Sequence, residues 1–600
     1  VKAAGYHVFK AGVDAEFETF DINKNYTGGV VWRHDAPSVA TGANGRWQQR
    51  EFLRVVRNLT QAEIADPSSV QLDMGQILCA SDRAICAVAD SVTANTTDSN
   101  YGAYIQDSWQ LRPNFTINAG IRYEDQIGYA AKQLQGQETP SGELVPSQVF
   151  NLNDLWAPRV GFIYDPTQEG RAKIFGHWGR FYESVPMDLQ VREFGGEYIN
   201  FAYYNFNRRL PGSQGYDPNC NIDHTGGQAD LTTLGTCSDV LQYTQSGGPA
   251  DYVTPDLRGQ YTEEWILGSE YEIMPDLKLG LNYIHRTLPS VIEDVSPDGG
   301  NNYLITNPGQ NFDAEAAELH KLAMQQMASS DPATQQLGAL NESRSQVVAA
   351  VKNFQVPIRN YDGVQFQVTQ RPTKRSLLLA SYTYARARGN YPGLYSTETG
   401  QADPNITSLY DLPDLLANRY GATGLDRPHN LKIDGFYQFD LKKAGVLTTG
   451  IRFRAQPGLA HNVLGASSHP GYGTGESYLL PRGAAGRSPT SSQTDIHISY
   501  GRRLNKNTLL EGFFNVFNLF NQQEQLGTDA DYTLDSVNPI VNGTFADLKH
   551  AKTLDASTGN EINASPVLNK NFNHTAAGTG GYGPALQAPL NVQIGVRLTF

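Results

Sequence analysis

Residues 101–124 read YGAYIQDSWQLRPNFTINAGIRYE and describe a β-hairpin. The segment Arg112-Pro113-Asn114 has the residue types of a tight turn. After it, apolar and polar side chains alternate: Phe115, Ile117, Ala119, Ile121 and Tyr123 against Thr116, Asn118, Gly120, Arg122 and Glu124. A period of two residues places these sets on opposite faces of a β-sheet. The stretch therefore predicts antiparallel strands with one apolar and one polar face.

The same alternation recurs along the chain. It is found in 7–17, where Phe9, Val13 and Phe17 oppose Lys10, Asp14 and Glu16, and again in 363–371 and 589–600. We count about 14 such strands of about 10–13 residues each, which is near the length that crosses a bilayer at a tilt.

The connections between these strands alternate in length. Short ones hold turn residues, at 112–114, 165–170, 275–276, 371–375, 442–445 and 503–507. Long ones, rich in Gly, Asn, Asp, Ser and Pro, cover 21–100, 127–154, 185–259, 289–358, 389–426, 457–490 and 521–588. Short turns at one edge and long loops at the other predict an all-β, transmembrane antiparallel β-barrel with long loops on one side.

The alternative is a soluble all-β protein with one wet face. Aromatic residues beside turns, such as Trp109 and Tyr271, favour the membrane, because aromatic girdles lie at membrane interfaces. Loops of about 70 residues on one side only are also unusual in a soluble sandwich.

Composition excludes other classes. The net charge of −14 argues against nucleic acid as a partner, and no apolar run approaches the ~18 residues of a spanning helix. The 12 His are scattered, with no H-E-x-x-H or G-x-S-x-G motif and no paired acid and base at an enclosed site. The sequence therefore predicts neither an enzyme nor a bound cofactor.

Several phrases together resemble TonB-dependent outer-membrane receptors, most closely the Oar-like branch. They are 101–124, APRVGFIYDP (157–166), FGHWGRFYE (175–183), ASYTYARARGNYPG (380–393), DRPHNLKIDGFYQF (426–439), FFNVFNLFN (513–521) and NVQIGVRLTF (591–600). The resemblance implies a barrel of about 22 strands around an N-terminal plug. We find no plug and no regulatory-like domain, so we expect residues 1–600 to be the C-terminal portion of such a barrel. The rival is a complete smaller barrel that closes 6–20 against 590–600.

The resemblance also implies function and partners. It implies transport of a scarce or bulky substrate across a Gram-negative outer membrane, driven by the TonB–ExbB–ExbD complex acting on the plug. Long loops would be extracellular and short turns periplasmic, among lipid and lipopolysaccharide. Val596, Leu598 and Phe600 match the C-terminal signal that the barrel-assembly machinery reads in this family. The alternatives are a passive porin-like channel and a surface adhesion or scaffold protein.

Two smaller features lie in the long loops. Cys79 with Cys86, and Cys220 with Cys237, are close in sequence, and we expect two local disulfides facing an oxidising exterior. Asp529, Asp531 and Asp535 begin like a calcium loop but lack its closing Glu, so a solvated acidic loop remains the alternative. The same applies to a second cluster, which contains Asp403, Asn405, Asp411 and Asp414. Residues 313–327 and 342–352 look helical.

Overall fold

A computed structural model describes most of the chain. It covers residues 5–26, 31–35, 46–57, 76–78, 85–89, 92–137, 144–196, 199–205, 228–230, 240–246, 251–300, 302–396, 404, 407–467, 477–555, 558–574 and 586–600. For the strands within 32–89 and 199–246, only the backbone pairing is considered.

One large antiparallel sheet dominates the described residues. Its continuous path has fourteen strands, labelled β1 to β14 in chain order. They are β1 Tyr6–Lys24, β2 Val92–Arg112, β3 Phe115–Tyr129, β4 Gln148–Tyr164, β5 Ala172–Tyr182, β6 Tyr261–Met274, β7 Leu277–Ser290, β8 Arg359–Gln370, β9 Ser376–Gly389, β10 His429–Asp440, β11 Val446–Gln456, β12 Ser491–Arg503, β13 Leu509–Phe517 and β14 Asn591–Thr599. A short strand, Gly421–Ala422, pairs with the end of β9.

Each strand pairs with the next one along the chain, so the sheet is a simple meander. The predicted short turns join β2 to β3, β4 to β5, β6 to β7, β8 to β9, β10 to β11 and β12 to β13. The all-β architecture and the alternation of turns and loops are thus confirmed. The first strands exceed the predicted length: β1 has 19 residues and β2 has 21. Within the described residues, β1 pairs only with β2 and β14 only with β13, so the sheet's two edges do not meet.

The apolar face of the sheet points outward and is uncovered. Val13 is 85% exposed, Ile594 76% and Val596 74%, and their neighbours on the same face are similarly open. A soluble protein rarely leaves so large a continuous apolar surface in water. Against lipid, the same surface needs no cover, because hydrogen bonds between neighbouring strands satisfy the backbone within the sheet and hydrocarbon meets the side chains.

Aromatic pairs mark both ends of this outward face. Trp156 on β4 lies near the loops and Tyr164 near a turn, eight residues or roughly 26 Å apart along the strand, which corresponds to about 20 Å of height at a barrel tilt of about 40° and lies within an apolar band of about 25 Å. The ring-centroid distances are 4.7 Å for Tyr123–Trp156 and 5.8 Å for Trp178–Trp265 at the loop end, and 6.1 Å for Phe115–Tyr164 and 4.6 Å for Tyr437–Phe439 at the turn end.

The long connections fold into a layer of their own at one edge of the sheet. Its helices are α1 Met187–Phe194, α2 Asp313–Met327 and α3 Pro332–Ala350. The prediction of α2 is confirmed. Helix α3 begins ten residues before the predicted start, because Asp331 accepts the backbone N–H of Thr334 as an N-cap and Pro332 suits the first turn. No helix in the described ranges has the length and apolar character to cross a bilayer.

Short strands complete the loop layer. Seven form one sheet: Val31–Asp35, Arg46–Arg57, Gln76–Leu78, Ile85–Ala89, Ile199–Asn205, Gln228–Asp230 and Val240–Ser246. The others are Tyr252–Val253, Glu293–Val295, Leu304–Thr306, Leu464–Ala466, Ser477–Tyr478, Asp531–Ser536, Lys552–Leu554 and Glu561–Asn563, with 3-10 turns at Val351–Asn353, Ser408–Tyr410, Pro413–Leu416 and Asp547–His550. A further 3-10 turn, Lys442–Ala444, forms the short connection from β10 to β11 at the opposite edge of the sheet.

Candidate functional site

The inner face of the sheet is polar and carries paired charges. Glu264 on β6 illustrates the arrangement: its Oε1 lies 3.1 Å from His177 Nε2 on β5, and its Oε2 accepts from Arg286 Nε on β7 at 2.5 Å. Further pairs lie along the wall. Lys278–Glu270 and Arg454–Asp434 join neighbouring strands, Arg122–Glu124 lies within β3, and Arg122–Asp14 reaches from β3 to β1. These side chains are partly exposed to the interior, where the pairs add little stability. Their main effect is to keep the inner wall hydrated and charged.

A groove of about 840 Å³ lies along this wall beside β2 to β5. Five basic side chains line it: Lys10, Arg122, Arg159, Lys173 and His177. Arg159 lies over the ring of Phe181 at 4.5 Å and Lys173 over Phe175 at 4.4 Å, which holds their stems against the wall. Arg122 and His177 already contact the carboxylates of Asp14, Glu124 and Glu264, and Asp107 also lines the groove, which can therefore hold a mixed polar and apolar surface against the sheet.

The loop layer is fixed to the strand ends by a buried polar network. Gln126 Nε2 on β3 and Gln190 Nε2 on α1 both donate to Asp98 Oδ2 on β2, at 2.9 and 2.8 Å. The backbone N–H of Val185 donates to Gln126 Oε1 at 3.0 Å. An apolar cluster containing Leu189 covers the same helix. Helix α1, which the sequence did not predict, therefore connects strands β2 and β3 to the loop layer.

A group of buried acids joins three loops. Tyr391 Oη donates to Glu293 Oε1 at 3.0 Å, and Thr407 Oγ1 donates to Oε2 at 3.4 Å. Burial raises the pKa of Glu293 well above its ordinary value. Burial, followed by the charges of Glu293, Asp411 and Asp251, does the same to the pKa of Asp294. These raised pKa values favour the protonated, neutral forms of Glu293 and Asp294. No set of three or more His, Cys, Asp or Glu in the described part of the chain is placed to hold a metal.

The predicted calcium residues are only partly brought together. Asp529 Oδ1 accepts the backbone N–H of Asp531 at 2.9 Å, so these two lie side by side. Burial, and next the charge of Asp529, raise the pKa of Asp531 to about 7. Asp535 lies four residues along the same extended strand, about 13 Å from Asp531.

The other predicted loop sites are mostly outside the described residues. This applies to Asp403 and Asn405 of the second acidic cluster and to Cys79, Cys220 and Cys237. The backbone of Cys86 lies in the strand Ile85–Ala89, but its side chain is not described. Both disulfides remain predictions.

A Ser–His–Asn chain connects two other long loops. His461 Nε2 lies 2.6 Å from Ser488 Oγ, and His461 Nδ1 lies 3.0 Å from Asn573 Oδ1. This is the order of groups in a serine hydrolase. A nucleophilic serine must be accessible to its substrate, whereas Ser488 is only 5% exposed. Its backbone N–H, a typical donor to the oxyanion in such enzymes, already donates to Leu459 O at 3.0 Å. Burial also lowers the pKa of His461. These three hydrogen-bonded residues therefore hold the two loops together, and we call them the His461 clamp.

The C-terminal residues Val596, Leu598 and Phe600 all lie on the outward face. They are 74%, 52% and 92% exposed. Strand β14 pairs through Asn591–Thr599 with β13 alone among the described residues, so its other edge is open to a partner strand.

Comparison with known proteins identifies relatives. The outer membrane beta barrel domain family matches residues 1–465. The chain is 32% identical over 620 residues to the TonB-dependent transporter Oar of Myxococcus xanthus, covering 100% of this chain and 50% of that protein. It thus spans about half the length of the curated relative that it matches.

Solved structures show a similar fold at low identity. The siderophore receptor PiuA from Acinetobacter baumannii is 11% identical, with a TM-score of 0.37 and coverage of 86% of this chain and 53% of PiuA. A mutant of the ferric enterobactin receptor PfeA from Pseudomonas aeruginosa is 12% identical, with a TM-score of 0.37 and coverage of 92% and 59%.

Proposed function

Since the chain belongs to the family of outer-membrane β-barrel domains, we propose that it forms the wall and surface loops of a TonB-dependent transporter. The similarity to Oar along the whole chain carries this proposal. The transporter moves a scarce or bulky substrate across the Gram-negative outer membrane, and the identity of that substrate is open.

The inner wall supports transport over a purely structural role. Charged pairs such as Glu264–Arg286 face the interior, where they contact water or a polar plug. In the proposed mechanism a plug domain fills the barrel against this wall, and TonB–ExbB–ExbD pulls on it. The groove beside Arg122 and Lys173 then provides one contact surface for the plug.

The loop layer supports capture of substrate at the surface. Its long connections all leave the same edge of the sheet, opposite the short turns. We place these loops outside the cell and the turns in the periplasm, with the outward face among lipid and lipopolysaccharide. The hydrogen bonds of Gln126 and Gln190 to Asp98 hold helix α1 of this layer against the strand ends.

The open edge of β1 supports a larger barrel. Among the described residues, its 19 residues pair with β2 alone, and unpaired N–H and C=O groups in hydrocarbon carry a large free-energy cost. We therefore propose that further strands and a plug belong to the native receptor. The intact mass and N-terminal sequence of the native protein test this. A mass of roughly 100 kDa or more supports it, as expected for added strands and a plug, whereas 65.9 kDa contradicts it.

The transport function is tested by comparing a deletion strain with its parent. Small molecules and secreted proteins would be quantified inside and outside both strains, with a third strain that lacks TonB. We expect one substrate to change its distribution in the deletion strain and in the TonB-deficient strain alike. Steady single-channel conductance of the native protein would instead indicate a passive porin. Unchanged distribution with lost cell–cell contact would indicate an adhesion or scaffold protein.

A further inference from the structure

Asp531 is a buried acid whose carboxylate has no partner. The residue is 1% exposed, and neither Oδ1 nor Oδ2 makes a hydrogen bond with any described residue. A buried ionised carboxylate without a hydrogen bond or counter-charge is strongly unfavourable. Buried charges in proteins are normally paired or coordinated to a metal ion.

A second acid lies beside this carboxylate. The adjacent acid is Asp529, whose Oδ1 accepts from the Asp531 backbone N–H at 2.9 Å and whose Oδ2 accepts from Asn569 Nδ2 at 3.1 Å. Asn569 Nδ2 also donates to the backbone oxygen of Asp531 at 2.9 Å. Each oxygen of Asp529 keeps a free lone pair after these bonds. Two carboxylates, held by these hydrogen bonds, therefore lie next to each other in the loop layer.

We propose that Asp531 and Asp529 form a binding site for a hard divalent cation, Ca²⁺. Carboxylates, carbonyls and water are the ligands that this ion prefers, and its flexible coordination accepts an irregular set of six to eight oxygens. Asp531 supplies both of its unpartnered oxygens. Asp529 supplies its remaining lone pairs, while its two hydrogen bonds hold it in position.

A cation bound at Asp529 and Asp531 would lie at a junction between two long connections. The backbone oxygen of Ala530 accepts from Leu464 N–H at 2.9 Å, and the backbone oxygen of Asp529 accepts from Asn573 N–H at 2.9 Å. The cation therefore lies where the connection between β11 and β12 meets two segments of the connection between β13 and β14. Bound Ca²⁺ stiffens this junction.

Asp535 is excluded from the site and serves as a matched control. Its Oδ2 already accepts from Val567 N–H at 2.7 Å and from Thr533 Oγ1 at 3.1 Å. The two acids lie on one strand, Asp531–Ser536, so both variants alter the same element.

The test is calorimetric titration of Ca²⁺ into the full native receptor, purified in detergent and stripped of metal with EDTA. The wild type would be compared with Asp531→Asn and Asp535→Asn, each checked for folding by heat-modifiable migration in electrophoresis. We expect Asp531→Asn to bind one Ca²⁺ fewer per chain and Asp535→Asn to match the wild type. Equal stoichiometry in the wild type and Asp531→Asn would overturn the proposal.

A second readout covers the case in which Asp531→Asn does not fold. Asp529→Asn alters a half-buried residue and is expected to weaken the binding of the same ion. Trypsin cleavage within residues 518–590 of the wild type is expected to slow when Ca²⁺ is added and to be unaffected by Ca²⁺ in Asp529→Asn. Protection by Ca²⁺ that persists in Asp529→Asn would contradict the assignment.

Discussion

Arg122 on β3 binds Asp14 on β1 across the whole width of the strand between them. Its Nη1 and Nη2 donate to the two carboxylate oxygens at 2.8 and 2.9 Å, although the residues are 108 positions apart. The residue beneath this pair on β2 is Gly102, and a Cβ there would overlap both Arg122 Nη2 and Asp14 Oδ2. The missing side chain is what allows the pair to form.

Substituting Gly102→Ala should therefore break this ion pair. The expected loss is up to about 1 kcal/mol of barrel stability, because the pair is partly exposed. It would be measured as a lower temperature for the heat-modifiable transition in electrophoresis. Gly512→Ala on β13 is the control, since a Cβ at Gly512 meets nothing within 4 Å. Equal transition temperatures for the two variants would contradict the role of Gly102.

The sequence predicted that Arg122 lies on the polar face of its strand, but not what it binds. Alternation within a strand shows which side a residue lies on, whereas the partner depends on the register between β1, β2 and β3. The strand faces, the six turns and helix α2 were predictable because each depends on residues that are close in sequence.

The loop layer was largely unpredictable for the same reason. Asn200 pairs with Leu53 in a sheet that joins two loops about 150 positions apart, and no local pattern indicates such pairing. The clamp of His461 with Ser488 and Asn573 likewise joins residues up to 112 positions apart. The paired acids Asp529 and Asp531 were visible in the sequence, while the burial of Asp531 was not.

The buried acids make the loop layer sensitive to pH. The pKa of Glu293 is raised above its ordinary 4.5, so the folded state keeps a proton that the unfolded state has lost. Stability therefore falls as pH rises from about 4.5 through the folded-state pKa, by about 1.4 kcal/mol per unit of pKa difference. We expect hydrogen exchange at 291–296, corrected for intrinsic rates, to be slower at pH 5 than at pH 8.

The variant Glu293→Gln should remove the part of this dependence that Glu293 contributes and leave the part that Asp294 contributes. Its amide oxygen can still accept from Tyr391 Oη, and no charge develops at high pH. Glu318→Gln, on the exposed surface of α2, is the matched control and should keep the wild-type slope. A Glu293→Gln slope as steep as that of the control would show that Glu293 does not titrate in this range.

The two predicted disulfides can be counted directly. Alkylation of the denatured, unreduced protein should modify none of Cys79, Cys86, Cys220 and Cys237, and reduction first should expose all four. Peptide mapping should then find bridges 79–86 and 220–237, which would stiffen the loops. Four reactive thiols before reduction would refute the pairing.

Phe600 provides a test of the assembly signal. It is 92% exposed on the outward face at the end of β14, so its removal creates no cavity. Phe600→Ala should lower the amount of heat-modifiable barrel in the outer membrane if the barrel-assembly machinery reads this residue. Leu590→Ala, an exposed apolar residue just before β14, is the control. A purified Phe600→Ala barrel as stable as the wild type would separate an assembly defect from a folding defect.

Adjacent positions on β14 test which face meets lipid. Ile594 is 76% exposed on the outward face, whereas Gln593 faces inward and accepts from Asn515 Nδ2 at 3.0 Å. Ile594→Lys places a charge near the middle of the apolar band, at a cost of about 2–4 kcal/mol. Gln593→Lys places the same charge beside polar residues and water, and should cost about 1 kcal/mol or less, mainly the lost hydrogen bond. Both would be measured by urea unfolding in lipid vesicles, and equal costs at the two positions would contradict the assignment of the faces.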